Sequence, residues 1–279
     1  MMDHGYDKET GLFLHLGGQS FLPVPDNPTM DEALAAFRFL RDEVLADFPF
    51  ATEMDAVAAI AMFFSKVQVR FLAACPIYAI SAATQSSGKT ELTNVVSLSI
   101  DGRPIATQPW PDGDEAEMKK TITACLREGH SLVMFDNVPD GHKVRSTHLA
   151  QAVTSEIHRD RVLGLSENVT SPANMMFALT GNNLSFSRDM PTRVMQCYLD
   201  PKRDDPQRRR FARANLKGWC LSNRNRTIQA VLTILRAFHI ASWESDEAGS
   251  RFPVWARCVR DPLMWLAGHD LLRVFDDVA

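Results

Sequence analysis

The chain has 279 residues, 45% of them hydrophobic and 23% charged, with a net charge of −4. That mixture excludes a disordered chain, a collagen-like repeat and a disulfide-stapled miniprotein, and it suffices for one large domain or a core with an appendage. Residues 202–279 hold 14 Lys/Arg and 9 Asp/Glu, a balance of +5, whereas residues 1–201 hold 16 and 25, a balance of −9. A basic tail on an acidic body fits either a polyanion partner or a solvated helical face.

Residues 1–28 are rich in Gly, Pro and His and read as a loop-rich lead-in, without the basic and apolar regions of a secretory leader. Pro28-Thr29 opens a helical pattern in which Leu34, Phe37, Leu40 and Val44 recur at helical spacing through Asp47. Phe48-Pro49-Phe50 breaks it, and a second helix, apolar on most sides and therefore expected to be buried, covers roughly residues 55–70. The longest apolar stretches, residues 56–64 and 71–83, fall short of the ~20 residues that span a bilayer. A cytoplasmic protein with no membrane partner is expected.

From Pro76 the texture changes. Short apolar runs at 77–82, 131–135, 175–179 and 194–199 predict buried strands, and helical patterns at 89–98, 115–128 and 148–157 lie between them. Such alternation predicts an α/β fold with a parallel sheet between helices. After Asp200 no strand signal remains, and residues 208–219 and 226–240 read as helices. Three regions follow: a lead-in with N-terminal helices (1–70), a core (71–201) and a helical, basic C-terminal region (202–279). The cysteines at 75, 125, 197, 220 and 258 are too scattered for a zinc clip and read as buried thiols.

Between the first strand and the helix after it stands Ala83-Thr84-Gln85-Ser86-Ser87-Gly88-Lys89-Thr90. It fits G-x-x-x-x-G-K-[ST] with Ala83 in place of the first glycine. In such a loop, backbone N–H groups at the helix start cradle phosphates and Gly88 allows close approach. Lys89 faces the β- and γ-phosphates and the Thr90 hydroxyl ligates Mg²⁺. Ala83 is small enough for its place but takes a left-handed conformation less readily than glycine.

The strand at 131–135 runs into Asp136-Asn137, 47 residues after Lys89. In a parallel sheet the carboxyl ends of strands line the ligand crevice, which makes Asp136 the second candidate for Mg²⁺, against a plain turn-forming Asp-Asn. Asn137 stands where many P-loop ATPases carry a catalytic glutamate, and an amide can orient a water but cannot take its proton. Glu115 and Glu117 are the loosest of candidates for a base and read better as a solvated helix start. Residues 175–179 lead into Thr180-Gly181-Asn182-Asn183. Asn182, with Asn183 as alternate, is the candidate polar sensor of the attacking water or γ-phosphate; a simple turn is the other reading. Arg193, with Arg188 as alternate, is the candidate for an arginine supplied to a neighbouring subunit's site. Its competing reading is an i,i+4 pair with Asp189.

Taken in order, Pro28-Thr29, Phe48-Pro49-Phe50, Ser86-Ser87-Gly88-Lys89-Thr90, Phe135-Asp136-Asn137-Val138 and Val153-Thr154-Ser155 resemble the ATPase region of phage and prophage replication proteins of the primase–helicase type. These are related to superfamily three helicases and the wider AAA+ class. Further matches are Arg161-Val162-Leu163-Gly164-Leu165-Ser166-Glu167, Thr180-Gly181-Asn182-Asn183-Leu184, residues 189–193, Asn223-Arg224, residues 232–237 and Trp255, so the resemblance runs from about residue 20 to 270. It implies a P-loop NTPase that hydrolyses ATP with Mg²⁺ in a hexameric ring, acting on single-stranded or forked DNA in replication, beside a primase or another replication protein. By position in the family, the segment holding Arg159 and Arg161 would touch DNA, although a surface salt-bridge role suits them as well. The basic cluster Lys202-Arg203 and Arg208-Arg209-Arg210 is a second DNA candidate, diluted by Asp204 and Asp205. Longer relatives carry a primase-like region upstream that residues 1–27 could not house, so the chain reads as a stand-alone ATPase or a piece of a longer protein.

Overall fold

A computed structural model describes residues 5–6, 8, 11, 13–14, 20–161, 168–202, 212–245 and 250–271. Helix α1 (Met30–Arg38) begins in a capping box: the Thr29 hydroxyl accepts from the Glu32 amide, and the Glu32 carboxylate accepts from the Thr29 amide. The helix passes into a π-helical stretch, Phe39–Val44, and so stops short of the expected Asp47. Helix α2 (Glu53–Gln68) opens the same way on Thr52 and Asp55. Asp55 does more than cap, because its Oδ1 also accepts from the Tyr198 amide at 2.6 Å. Every residue from Ala56 to Lys66 is buried, in agreement with a pattern that is apolar on most sides.

The central sheet has five parallel strands: β1 (Ile77–Ala82), β2 (Ala106–Pro109), β3 (Leu132–Val138), β4 (Met176–Asn182) and β5 (Val194–Leu199). Their order across the sheet is β5-β1-β4-β3-β2. All six residues of β1 are buried, as a strand flanked on both edges and covered on both faces must be. The register sets Ala82 beside both Leu199 and Asn182, and Asp136 beside Pro109, so the carboxyl ends of all five strands form one rim. Helices α3 (Lys89–Asp101) and α4 (Glu115–Arg127) make the crossovers into β2 and β3. The fold is therefore α/β, with a parallel sheet between helices.

Two elements in this region differ from the sequence reading for local reasons. β2 carries no apolar run, because an edge strand needs only one buried face and tolerates Pro109. The helix expected at 148–157 is the short α5 (Thr147–Ala152). The Thr154 and Ser155 hydroxyls donate to the carbonyls of Ala150 and Gln151, taking up the helix's last acceptors. The chain then enters an antiparallel hairpin, Ile157–Arg161 against Asn168–Pro172.

Beyond the sheet lie α6 (Leu216–Ser222) and α7 (Arg224–Ala241), followed by helical turns over Pro253–Trp255, Ala256–Arg260 and Asp261–Ala267. The helix expected over 208–219 falls partly outside the described residues; its described part starts at Asn215, whose side chain caps Gly218. Trp255 is fully buried, and its indole N–H donates to Ser65 Oγ, itself bonded to the Tyr78 hydroxyl. One face of α7 straps down the lead-in, with Asn225 donating to Ser20 O, Gln229 to Pro23 O and Arg236 to the carbonyls of Val24 and Pro25. A single apolar cluster extends from Ala33 to Leu271. Four cysteines are buried as expected, whereas Cys258 is only partly so. Among the described residues, no helix is long and apolar enough to cross a membrane.

Candidate nucleotide site

The loop between β1 and α3 has two left-handed residues, Ser86 (φ 58°) and Gly88 (φ 100°). Ala83 is not one of them, so the missing first glycine carries no backbone penalty there. Gly88 is the N-cap of α3, which leaves the amides of the first turn directed at the rim. A Cβ at Gly88 would stand 3.6 Å from the Phe48 ring, an ordinary contact, so its backbone conformation is the reason for glycine. Phe48 reaches the loop because residues 49–51 run beside the end of β5, with Ala51 N donating to Tyr198 O and Asp200 N to Pro49 O.

Lys89 is half-buried, and its ammonium donates to Asn182 Oδ1 (2.8 Å), Thr84 O (3.1 Å) and Ser87 Oγ (3.2 Å). All three acceptors are neutral. Burial pushes the Lys89 pKa down, opposed by the charge of Asp136. Next along α3, the Thr90 hydroxyl donates to Asp136 Oδ1 at 2.9 Å.

Asp136 owes its aim to a β-bulge. Phe135 pairs with Leu179 and Val138 with Gly181, so three steps on β3 oppose two on β4, and Asn137 takes up the slack at φ 59°. The Asn137 side chain is exposed. Its amide donates to the Thr180 hydroxyl at 3.1 Å, and that hydroxyl donates in turn to Asp136 Oδ1. Gly181 is obligatory for packing: a Cβ there would lie 2.5 Å from Leu184 Cδ2 and 3.0 Å from the Val138 carbonyl.

The structure thus gathers Lys89, Thr90, Asp136 and Asn182 at the ends of three adjacent strands. Asn183 turns away, with its amide donating to Asp140 at 3.3 Å. Glu115 caps α5 by accepting from Ser146 Oγ and His148 N, and Glu117 pairs with Lys120. Both serve helix ends. Arg193 lies in a 3-10 turn at the amino end of β5, the end remote from the loop. Its guanidinium meets the Asp189 carboxylate and carbonyl, each at 2.7 Å, which is the i,i+4 pairing weighed from the sequence. Arg188 is exposed at φ 60°.

For a divalent cation the donors are one carboxylate and one hydroxyl. Among the described residues no group of three His, Cys, Asp or Glu side chains could hold a metal. A sparse, all-oxygen set suits Mg²⁺, which keeps several waters and takes phosphate oxygens as further ligands.

In the hairpin, alternation separates two faces. His158 and Asp160 turn to α4, where the Thr123 hydroxyl lies 3.0 Å from His158 Nε2 and 2.8 Å from Asp160 Oδ2; Lys119 pairs with Asp160 at 2.6 Å. Burial pushes the His158 pKa down. Ile157 and Arg159 face out, exposed. The side chain of Arg161 and the residues Arg203 and Arg208-Arg209-Arg210 lie outside the described ones. Sequence reasoning missed this hairpin, the bulge and the bond from Thr180 to Asp136. Only the period-two alternation at 157–161 was available as a signal.

A phosphate loop at the end of a central parallel strand, opening an α-helix and facing an acidic strand end, defines an α/β P-loop NTPase fold. No known family's sequence profile matches the chain, and no curated protein sequence does. Among solved structures it is similar to the apo C-terminal region of NrS-1, at 10% identity over 85% of this chain and 52% of that one, with a TM-score of 0.44. It is also similar to the JCV helicase, at 15% identity over 82% of this chain and 67% of that one, with a TM-score of 0.33. The chain spans about half the length of the NrS-1 region.

Proposed function

We propose that the chain is an ATP-hydrolysing, helicase-like DNA motor of the superfamily three and AAA+ type, serving phage, prophage or mobile-element replication. The convergence of Lys89, Thr90, Asp136 and Asn182 on the strand rim carries this reading. Residues 71–201 form its ATPase core. Lys89 would meet the β- and γ-phosphates, and Asn182, which accepts from Lys89, is the proposed sensor of the γ-phosphate or the attacking water. Thr90 and Asp136 would hold Mg²⁺, which neutralises charge on the phosphate oxygens when bound. Arg193 cannot serve the loop of its own chain, since the six residues of β5 set it roughly 17–20 Å away. It is proposed to reach a neighbour's site in a ring, exchanging Asp189 for the γ-phosphate. The outward face of the hairpin, with Arg159, and the basic segment at 202–210 are the proposed contacts for single-stranded or forked DNA. A primase or another replication protein is the proposed companion.

A second reading is a loader that hydrolyses ATP to recruit or remodel a separate helicase without unwinding. A third, resting on Asn137, is a module that binds nucleotide without turning it over, because an exposed amide stands in place of a carboxylate. ATP hydrolysis with and without single-stranded DNA, followed by strand displacement on a fork, decides. DNA-stimulated hydrolysis with unwinding supports the motor, and stimulation alone supports the loader. No turnover by the purified, folded protein would leave a nucleotide-binding module and overturn the motor.

A further inference from the structure

The hydroxyl of Thr180 touches both halves of the bulge in β3. It donates to Asp136 Oδ1 and accepts from the Asn137 amide, and the residue is buried in the middle of β4. A regular ladder would leave no work for it. The bulge changes that, because the inserted step removes the Asn137 backbone amide from pairing with β4 and leaves it in need of another acceptor. The same step turns the Asp136 carboxylate out of the strand's alternation, free to rotate unless something holds it.

From this juxtaposition we propose that Thr180 is a positioning residue for the divalent cation of the nucleotide site, fixing Asp136 so that its carboxylate faces the cation beside Thr90. The inference rests on the P-loop reading and deepens it. The hydroxyl's single proton is spent on Asp136, so Thr180 has none to donate to substrate. Oδ1 of Asp136 then receives two donors, from Thr90 and Thr180, which pins the plane of the carboxylate and leaves Oδ2 as the less encumbered oxygen. Groups that orient a metal's ligand are worth about 10–100-fold in metal affinity.

The test titrates Mg²⁺ against binding of a fluorescent methylanthraniloyl-ATP to the full chain, so that no turnover is needed. Thr180→Val removes both bonds at equal volume, and Thr180→Ser keeps both. The Mg²⁺ midpoint is expected to rise about tenfold or more in Thr180→Val, to stay within about threefold of wild type in Thr180→Ser, and Mg²⁺-free analogue binding to be the same in all three. Should Thr180→Val fail to fold, Thr180→Ala removes the hydroxyl without added bulk and takes its place. An unchanged midpoint in the variant lacking the hydroxyl, or equal loss in Thr180→Ser, would overturn the proposal and leave Thr180 a packing residue. Wild-type binding that ignores Mg²⁺ would instead overturn the metal assignment of Asp136 itself, and the positioning role with it.

Discussion

Helix α3 has a lysine at each end, and the two are treated in opposite ways. Lys66 of α2 meets its carboxyl end: the residue is 3% exposed and its ammonium sits on Asp101 (2.5 Å) and Ser131 (2.7 Å). Asp101, the last residue of α3, is a carboxylate at the negative end of a helix dipole, and the lysine offsets both. Lys89 at the amino end has only neutral acceptors, beside the positive end of the same dipole. Burial lowers the pKa of both lysines, but only Lys66 has a carboxylate bonded to it. A buried cation neutralised in place belongs to the architecture. A cation held by neutral oxygens at the amino end of a helix suits an anion that arrives from outside, as the proposed nucleotide site requires.

The comparison breaks most openly if the two lysines are exchanged in their effects. Lys89→Ala is expected to lose detectable ATP turnover and weaken analogue binding, with its melting temperature close to wild type, because no buried partner charge is left behind. Lys66→Ala is expected to unfold the chain more easily by roughly 2–4 kcal/mol, by emptying a buried site and leaving the part-exposed Asp101 without its partner. Thermal melts and hydrolysis assays on both variants check it; a stable Lys66→Ala would make that pair ornamental. Asp136→Asn comes next, with hydrolysis lost and ATP binding retained, read by comparing steady-state turnover with equilibrium analogue binding. If the variant turns over normally with Mg²⁺, Asp136 only makes a turn.

Arg193 is the intermediate case, a cation 12% exposed that is paired like Lys66 yet proposed to act like Lys89. Arg193→Ala and Lys89→Ala are each expected to be inactive alone, and mixing them to restore part of the activity where an intact loop meets an intact arginine. Full activity of Arg193→Ala by itself sinks the idea of an arginine in trans, whose effect in such sites is about 10³–10⁵ in rate. The smallest effect concerns shape alone. Gly181→Ala is expected to cost about 1–3 kcal/mol, since the Val138 carbonyl cannot move as a side chain would, and a denaturant melt measures it.

What the sequence made legible was whatever its own periodicity carried. β1 and β5 begin and end as expected because apolar runs with polar neighbours mark strands buried on both faces. The loop at 83–90 is legible because phosphate chemistry restricts a contiguous stretch. β2 was not, since Ala-Thr-Gln-Pro has too few apolar side chains to announce an edge strand. The bulge depends on the register between β3 and β4, which are separated by a hairpin and a helix, and no local pattern encodes it. Thr180 was read as half of a polar pair at a strand end; the structure divides that pair, giving Thr180 to Asp136 and Asn182 to Lys89.

The strap along α7 bears on the order in which the molecule can be completed. Ser20, Pro23, Val24 and Pro25 offer carbonyls to side chains that lie 205, 206, 212 and 211 residues further on. At about 5–20 residues per second, those donors are synthesised some ten to forty seconds later. The segment is thus fastened only once residues 225–236 have been made. Until then α1 lacks the helix it packs against, and its apolar face stays uncovered on the growing chain.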